Sequence, residues 1–332
     1  MTLIKNKYLN FLIKTALILL LCWALYQQVF ARENLEDLKT AFLNHFRKEN
    51  LHWLIFATAL MPLNWAFESL KWHQLIKHFE SLNFWSTYKG IFAGVTLSLF
   101  TPNRIGEYGG RILVVEAKNN WKAVIATLVG SFSQLLVLMS MGLLGLVYFI
   151  LHYMEVETYL LQSAIFLGIG LIGLMLFCFF NIDLVIPIVR RLPFAKYFRR
   201  FVKHVKILKE YHTRDLAMAL TYAFARYLTY TLQYYLMLRF FAIEAPLLPG
   251  LASIATIFLL QTSIPLPPVM GLLARGEIAL FIWQHFSSEE VNILAATFGL
   301  FILNLIIPGL IGIIFIVNIN VLKSLGYEKE QV

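Results

Sequence analysis

The sequence is poor in charged residues. Only 14% of its 332 residues are charged and 59% are hydrophobic, whereas a soluble domain carries about 25% charged and 45–50% apolar residues. This composition argues against a water-soluble enzyme. It also excludes intrinsic disorder, because disordered chains are poor in hydrophobic and aromatic residues and this chain holds 28 Phe, 15 Tyr and 7 Trp. The mean hydropathy of +0.69 indicates an all-α integral membrane protein.

Cysteines and the motifs of soluble catalysis are also scarce. The two cysteines, Cys22 and Cys178, both lie inside apolar runs, so we expect no disulfide framework. The eight histidines form no HExxH pair, and the sequence contains no GxSxG, Walker A or GxGxxG element. We therefore expect no catalytic residues of these classes, no metal site and no cofactor.

Six hydrophobic runs are long enough to cross a membrane, for which about 20 residues suffice. They cover residues 11–30, 51–68, 121–150, 160–180, 216–241 and 291–317. The first run also has the layout of a signal peptide, with a basic start and a candidate cleavage site near Ala31, but its length favours an uncleaved span. Residues 32–50 are typical of an amphipathic helix on the membrane surface.

Two shorter hydrophobic runs, 90–100 and 251–262, each end in a break rich in Pro and Gly. The nine basic residues of 181–214 favour the cytoplasm for this loop, and the acidic 151–158 loop, without Lys or Arg, favours the opposite side. These two loops lie on the predicted sides only if each short run enters and leaves the membrane on the same side. We therefore predict six transmembrane helices plus two oppositely oriented re-entrant hairpins, with eight transmembrane helices as the alternative.

This order of segments predicts an inverted repeat within one polytopic domain spanning 1–332. The halves, 1–150 and 158–318, each contain two spans, a hairpin and a span, and they start on opposite sides of the membrane, as in many secondary transporters. Both termini and the basic loop 181–214 would then be cytoplasmic. Because aromatic residues are interspersed in that loop, we expect it to lie on anionic lipid and not to bind nucleic acid.

The first break predicts the start of a new helix inside the membrane. Irregular backbone at membrane depth is tolerated only where protein buries it or a watery cavity solvates it. Thr101 is a good N-cap and Pro102 suits the first helical position, so we expect a helix from Asn103 to Leu113. Three charged residues at spacings of three and four share one face of that helix: Arg104, Glu107 and Arg111.

The second break mirrors the first, with a Pro-rich tip and a helix from Leu272 that carries Arg275 and Glu277. Two helix N-termini that meet at the midplane beside two arginines predict a phosphate site. We expect Glu107 and Glu277 to pair with the arginines until a ligand displaces them. The alternative is that these charges form ordinary ion pairs at the membrane interface.

Other residues near the breaks complete the predicted site. We assign gating of the hairpin tips to Thr101, Pro102, Gly106, Gly109, Gly110, Pro265, Pro267, Pro268 and Gly271. We assign further contacts in the substrate cavity to Asn103, Gln134, Arg226 and Gln233. For both sets the alternative is packing, with glycines at close helix contacts and amides in interhelical hydrogen bonds. Asn64 and Glu68 are interpreted as interfacial residues at the end of their span.

The two breaks resemble a known family, the membrane domain of the lysylphosphatidylglycerol synthases, also called multiple peptide resistance factors, and its stand-alone prokaryotic relatives. The matching features are Thr-Pro-Asn-Arg-Ile-Gly-Glu at 101–107 and the later break that ends in Arg275 and Glu277. The second motif departs from the pattern, because residues 268–270 replace the usual glycines and Gly276 separates Arg275 from Glu277.

The resemblance covers the segment order of nearly the whole chain. It implies a stand-alone member in the prokaryotic inner or plasma membrane, and a domain that moves aminoacylated phospholipid between leaflets. The sequence does not contain the soluble domain that performs aminoacyl transfer, so we do not expect synthase activity.

We therefore predict a flippase or transporter for a phosphate-bearing lipid: a phospholipid, an aminoacyl-phospholipid or a polyprenyl-phosphate lipid. One alternative is a membrane enzyme that acts on a lipid headgroup with Glu107 or Glu277 as general base. Another is a scaffold for a separate lipid-modifying synthase. The expected partners are anionic or phosphate-bearing membrane lipids, and assembly into a homo-oligomer is left open.

Overall fold

The described residues form an all-helical chain. The computed structural model describes residues 15, 35–46, 50–99, 101, 104–184, 186–187, 204–263, 271–317 and 319, and no strand occurs among them. The predicted all-α class is therefore confirmed for these residues. Five predicted tip or site residues lie outside them: Pro102, Asn103, Pro265, Pro267 and Pro268. All of the first predicted span except residue 15 and half of the basic loop 181–214 also lie outside them.

The helices follow one another with short connections. Their bounds are α1 Leu35–Phe46, α2 Leu51–Ile76, α3 Phe84–Ser98, α4 Gly106–Ile112, α5 Asn120–Tyr153, α6 Thr158–Phe180, α7 Thr213–Phe240, α8 Leu247–Thr262, α9 Gly271–Trp283, α10 Glu290–Phe301 and α11 Ile307–Val317. A π-helical turn, Ile302–Ile306, joins α10 to α11 without a break. Short 3-10 helices cover Ala117–Asn119, Ile182–Leu184 and Val205–Glu210.

Among the described residues, three helical segments are both long and apolar enough to cross a membrane. They are Ala117–Tyr153, Thr158–Phe180 and Glu290–Val317, and they coincide with three of the predicted spans. Helices α2 and α7 have 26 and 28 residues, which gives each a length of about 40 Å. They are long enough to cross, but their buried faces carry polar residues that lower their hydropathy.

Helices α2 and α7 pack along each other, and the remaining helices surround them in two similar arrangements. In one, Gly309 and Gly312 of α11 lie directly against α3, and the Thr96 hydroxyl donates to the Gly309 carbonyl at 2.7 Å. In the other, Gly142 and Gly145 of α5 lie directly against α8. A Cβ at Gly142, Gly145 or Gly312 would collide with the facing helix, whereas one at Gly309 would meet only the end of the Leu99 side chain. Each contact thus contains two glycines three residues apart.

Each predicted break joins two short helices that contact each other. Helix α4 packs on α3 so closely that a Cβ at Gly106 would overlap the Leu97 backbone, and one at Gly110 would overlap the Gly94 backbone. With 15 and seven residues, α3 and α4 are about 22 and 10 Å long, so neither spans a hydrocarbon core of about 30 Å. Helices α8 and α9, with 16 and 13 residues, form the second pair.

The helix after the first break is shorter than predicted. It begins at Gly106 instead of Asn103, because Arg104 has a left-handed backbone with φ of 57° that interrupts helical geometry. The Thr101 hydroxyl accepts a hydrogen bond from the Gly106 N–H at 2.6 Å, at the first residue of this helix. The helix is therefore about 10 Å long, not about 15 Å.

Candidate functional site

Glu68 of α2 is the centre of a buried charge cluster. Its carboxylate accepts hydrogen bonds from Arg111 of α4 at 2.7 Å and from Arg226 of α7 at 2.6 Å. Lys71, one turn further along α2, lies 2.7 Å from the same carboxylate. The side chains of Glu68 and Lys71 are 4% and 1% exposed. One carboxylate therefore joins three cations from three helices inside the protein.

The cluster extends from Glu68 towards the surface through Glu107. Arg111 also donates to Glu107 at 3.2 Å, and the Arg104 guanidinium lies 2.5 Å from the other oxygen of that carboxylate. The Arg104 side chain is 41% exposed, whereas that of Arg111 is 3% exposed. We call these six residues the cationic cluster: Lys71, Arg104, Arg111, Arg226, Glu68 and Glu107. Its exposed end is Arg104.

The cationic cluster contains four cations and two carboxylates, so positive charge is in excess. Aromatic rings compensate part of this charge, since the Arg226 guanidinium lies 4.9 Å from the Trp65 ring and that of Arg111 lies 5.7 Å from the Trp72 ring. Three buried guanidinium nitrogens have no hydrogen-bond partner among the described residues: Arg104 Nε, Arg111 Nε and Arg111 Nη1. An anionic ligand would supply the missing acceptors.

The backbone at Arg104 is strained. A left-handed conformation costs a residue other than glycine about 1–2 kcal/mol, and Arg104 adopts it with φ of 57°. Such strain persists only where the surrounding structure enforces it, and it is concentrated at functional sites. Here the close contact of Gly106 with α3 fixes the start of α4 two residues later. The strained residue is also the one that presents its charge at the exposed end of the cationic cluster.

The second predicted arginine interacts electrostatically with the cationic cluster, but its predicted carboxylate forms no ion pair among the described residues. Arg275 of α9 is partly buried, lies 5.7 Å from the Phe301 ring, and is within electrostatic range of Arg104. Glu277 is exposed and pairs with no arginine among the described residues. The expectation that Glu277 neutralises an arginine is therefore wrong for this part of the chain.

The other predicted residues divide between the cationic cluster and helix packing. Arg226 belongs to the cluster because it binds Glu68, and Gln134 of α5 contacts the cluster by accepting a hydrogen bond from Lys71 at 3.4 Å. Gln233 is fully buried, two helical turns after Arg226 on α7. Its amide donates to the Ala57 carbonyl at 2.9 Å, which links α7 to α2. Gly106, Gly110 and Gly271 are buried, and Gly109 makes an ordinary contact with Leu97.

Glu68 and Lys71 were not among the predicted site residues. We interpreted Glu68 as an interfacial residue at the end of its span, but α2 continues eight residues past that end and buries both side chains inside the protein. Asn64 is buried as well, and its amide donates to Asn304 in the π-helical turn at 2.9 Å. The signal that could have identified Glu68 and Lys71 is their spacing, since a Glu and a Lys three residues apart follow an apolar run.

A second polar site lies where α2 ends and α7 begins. Asp215 accepts a hydrogen bond from Gln74 at 2.9 Å and lies 3.0 Å from Lys77 and 3.1 Å from His78. These residues line an open cleft of about 440 Å³. Burial raises the pKa of the adjacent Tyr211 hydroxyl, so this phenol stays neutral at physiological pH. The cleft is separate from the cationic cluster.

Comparison with known proteins identifies the family. A family model described as "Lysylphosphatidylglycerol synthase TM region" matches residues 11–312. No curated protein and no solved structure matches the chain. The match covers nearly the whole chain, and the helices long and apolar enough to cross a membrane lie within or overlap it. The chain therefore belongs to the lysylphosphatidylglycerol synthase TM region family and is a multi-pass membrane protein, and its family points to a function in lipid biology.

Proposed function

We propose that this protein moves a phosphate-bearing lipid between the leaflets of a prokaryotic cell membrane and that the cationic cluster binds the headgroup. One observation carries the proposal. Arg111 is buried between two carboxylates, yet two of its guanidinium nitrogens lack a partner among the described residues. Buried polar groups without partners are costly, and charged residues at membrane depth mark functional sites. A phosphate would satisfy these donors.

The carboxylates give the cationic cluster two states. Without ligand, Glu107 neutralises Arg104 and Arg111. A phosphate oxygen forms the same charge-assisted, bidentate bonds with guanidinium groups, so an entering headgroup displaces Glu107 first, at the exposed end. Glu68 stays with Lys71 and Arg226, which hold it from the buried side. Headgroup binding thus exchanges the ion pairs of Glu107 for ion pairs of the phosphate.

The packing of the helices supports an inverted repeat with alternating access. The pair α3 and α4 in half 1–150 corresponds to the pair α8 and α9 in half 158–318. Helix α11 of the second half packs on α3 through two glycines, and α5 of the first half packs on α8 in the same way. In the proposal both pairs are re-entrant hairpins from opposite sides, the termini and the 181–214 loop are cytoplasmic, and the two halves rock to open each side in turn.

Leaflet-resolved lipid transport in proteoliposomes tests the proposal. Arg104→Asn removes the exposed guanidinium and keeps a residue that tolerates the left-handed backbone. Losing one charged hydrogen bond costs about 1.5–3 kcal/mol, so we expect transport to fall at least about tenfold. Lys118→Asn, which removes an exposed cation paired with Glu116, is the matched control.

Two outcomes would contradict the proposal. Transport by the wild-type protein no faster than in protein-free vesicles would disprove the function. Normal transport by Arg104→Asn would disprove the site, provided that thermal unfolding shows Arg104→Asn and Lys118→Asn to be equally stable.

A further inference from the structure

The charge around the cationic cluster exceeds what a zwitterionic or cationic headgroup can balance. The cationic cluster has four cations, and Arg275, which is within electrostatic range of Arg104, adds a fifth positive charge beside it. Among the described residues only Glu68 and Glu107 oppose these charges, since Glu277 is exposed and unpaired there. The five cations thus exceed the two carboxylates by three. An uncompensated buried charge is costly, so we expect the ligand to carry negative charge.

Lipid headgroups differ in how much negative charge they bring. A phosphodiester headgroup without other charges carries one negative charge, and a lysyl group esterified to it adds two ammonium groups, which makes the headgroup cationic. A terminal phosphate monoester carries about −1.5 to −2 at pH 7 and presents three acceptor oxygens. Of these headgroups, only the monoester approaches the charge that the cationic cluster lacks.

The donors that lack partners agree with this charge count. Arg104 Nε, Arg111 Nε and Arg111 Nη1 are three buried donors without acceptors among the described residues, and a terminal phosphate has three free oxygens. The two ammonium groups of a lysyl headgroup would instead need two carboxylates. A phosphate that displaces Glu107 frees one carboxylate, whereas Glu68 stays bound to guanidinium groups at 2.6–2.7 Å, so at least one ammonium group would lack a partner in the cluster.

We infer that the substrate is a lipid whose headgroup ends in a phosphate monoester, and that aminoacylated phospholipid is a poor substrate. This inference rests on the proposed function, because it names the lipid that the same site transports. The exposed Arg104 contacts the phosphate first, and the buried Arg111 then donates hydrogen bonds to it. Arg275 adds the charge that distinguishes a dianion from a monoanion.

The test compares three lipids with identical acyl chains in the same proteoliposomes: phosphatidic acid, phosphatidylglycerol and lysyl-phosphatidylglycerol. We expect phosphatidic acid to cross at least about tenfold faster than phosphatidylglycerol and the lysyl lipid to be slowest. Arg275→Gln removes one charge and should narrow the preference for phosphatidic acid over phosphatidylglycerol several-fold, whereas Lys118→Gln should leave the preference unchanged. A parallel assay measures uptake of radiolabelled inorganic phosphate, which we expect to be absent.

The outcomes separate the inference from the function. If the lysyl lipid crosses as fast as phosphatidic acid or faster, the inference is overturned and lipid transport stands. A preference that Arg275→Gln does not change would overturn the charge argument. Uptake of inorganic phosphate would show that the ligand is a free anion and not a lipid. If none of the three lipids crosses faster than in protein-free vesicles, the proposed function itself fails.

Discussion

Neutralising Glu68 should destabilise the protein more than neutralising any exposed carboxylate. Its carboxylate lies within 2.7 Å of Lys71, Arg111 and Arg226, and these four side chains are mostly or fully buried. Glu68→Gln keeps the size and shape of the side chain but removes the only charge that all three cations share. The three cations would then repel one another with no common counter-ion beside them.

The magnitude follows from the burial of the partners. Removing one partner of a buried ion pair costs about 3–5 kcal/mol, because the other charge stays buried and uncompensated. At about 2–4 °C per kcal/mol, the melting temperature should fall by roughly 6–20 °C. The additional substitution Lys71→Met should restore part of the loss, since a buried ion pair replaced on both sides by neutral groups costs little.

Thermal unfolding of the purified protein in detergent, followed by tryptophan fluorescence, measures the effect. Glu277→Gln is the matched control, because it makes the same chemical change on an exposed side chain with no ion pair among the described residues. We expect its melting temperature to stay within about 2 °C of the wild-type value, since surface substitutions change stability by less than about 0.5 kcal/mol. Equal melting temperatures for Glu68→Gln and Glu277→Gln would refute the assignment of Glu68 as the centre of the cluster.

Three further predictions concern packing and topology. Gly110→Ala should destabilise the protein by about 1–3 kcal/mol in the same unfolding assay, because its Cβ would overlap the α3 backbone. The control Gly170→Ala has open space around it and should be neutral or stabilising by up to about 1 kcal/mol. Equal effects of the two substitutions on stability would contradict the close contact of α4 with α3. Asn304→Ala should lower the free energy of unfolding by about 1–3 kcal/mol, because it leaves the buried Asn64 amide unpaired. If the stability losses of Asn64→Ala and Asn304→Ala simply add in the double mutant, the hydrogen bond is disproved. Lys196→Cys, in a variant whose two native cysteines are replaced by serine, should react with a membrane-impermeant maleimide only from the cytoplasm, and labelling from outside would disprove the inverted repeat.

Hydropathy predicted the most apolar helices better than those whose buried faces carry polar residues. Predicted spans 121–150, 160–180 and 291–317 coincide with helical segments that are long and apolar enough to cross a membrane. The end of α2 was missed, because its last turns bury Glu68 and Lys71 against neighbouring helices. A hydropathy window averages over all faces of a helix, so it cannot distinguish polar residues buried in protein from polar residues at the interface.

The candidate site was predictable only where its residues are close in sequence. The spacing of Arg104, Glu107 and Arg111 placed them on one face, and the structure joins them through ion pairs. Glu68 lies 43 residues from Arg111 and 158 from Arg226. Such contacts depend on how α2, α4 and α7 pack, which no local pattern specifies. The left-handed backbone of Arg104 was missed for the same reason, since packing of α4 on α3 enforces it.

The most direct test of the central claim is an experimental structure of the protein in nanodiscs that contain phosphatidic acid. We expect a phosphate whose oxygens lie about 2.7–2.9 Å from the guanidinium groups of Arg104 and Arg111, with Glu107 displaced and Glu68 still bound to Lys71 and Arg226. A lipid phosphate bound elsewhere, with the contacts of Glu107 to both arginines intact, would contradict it.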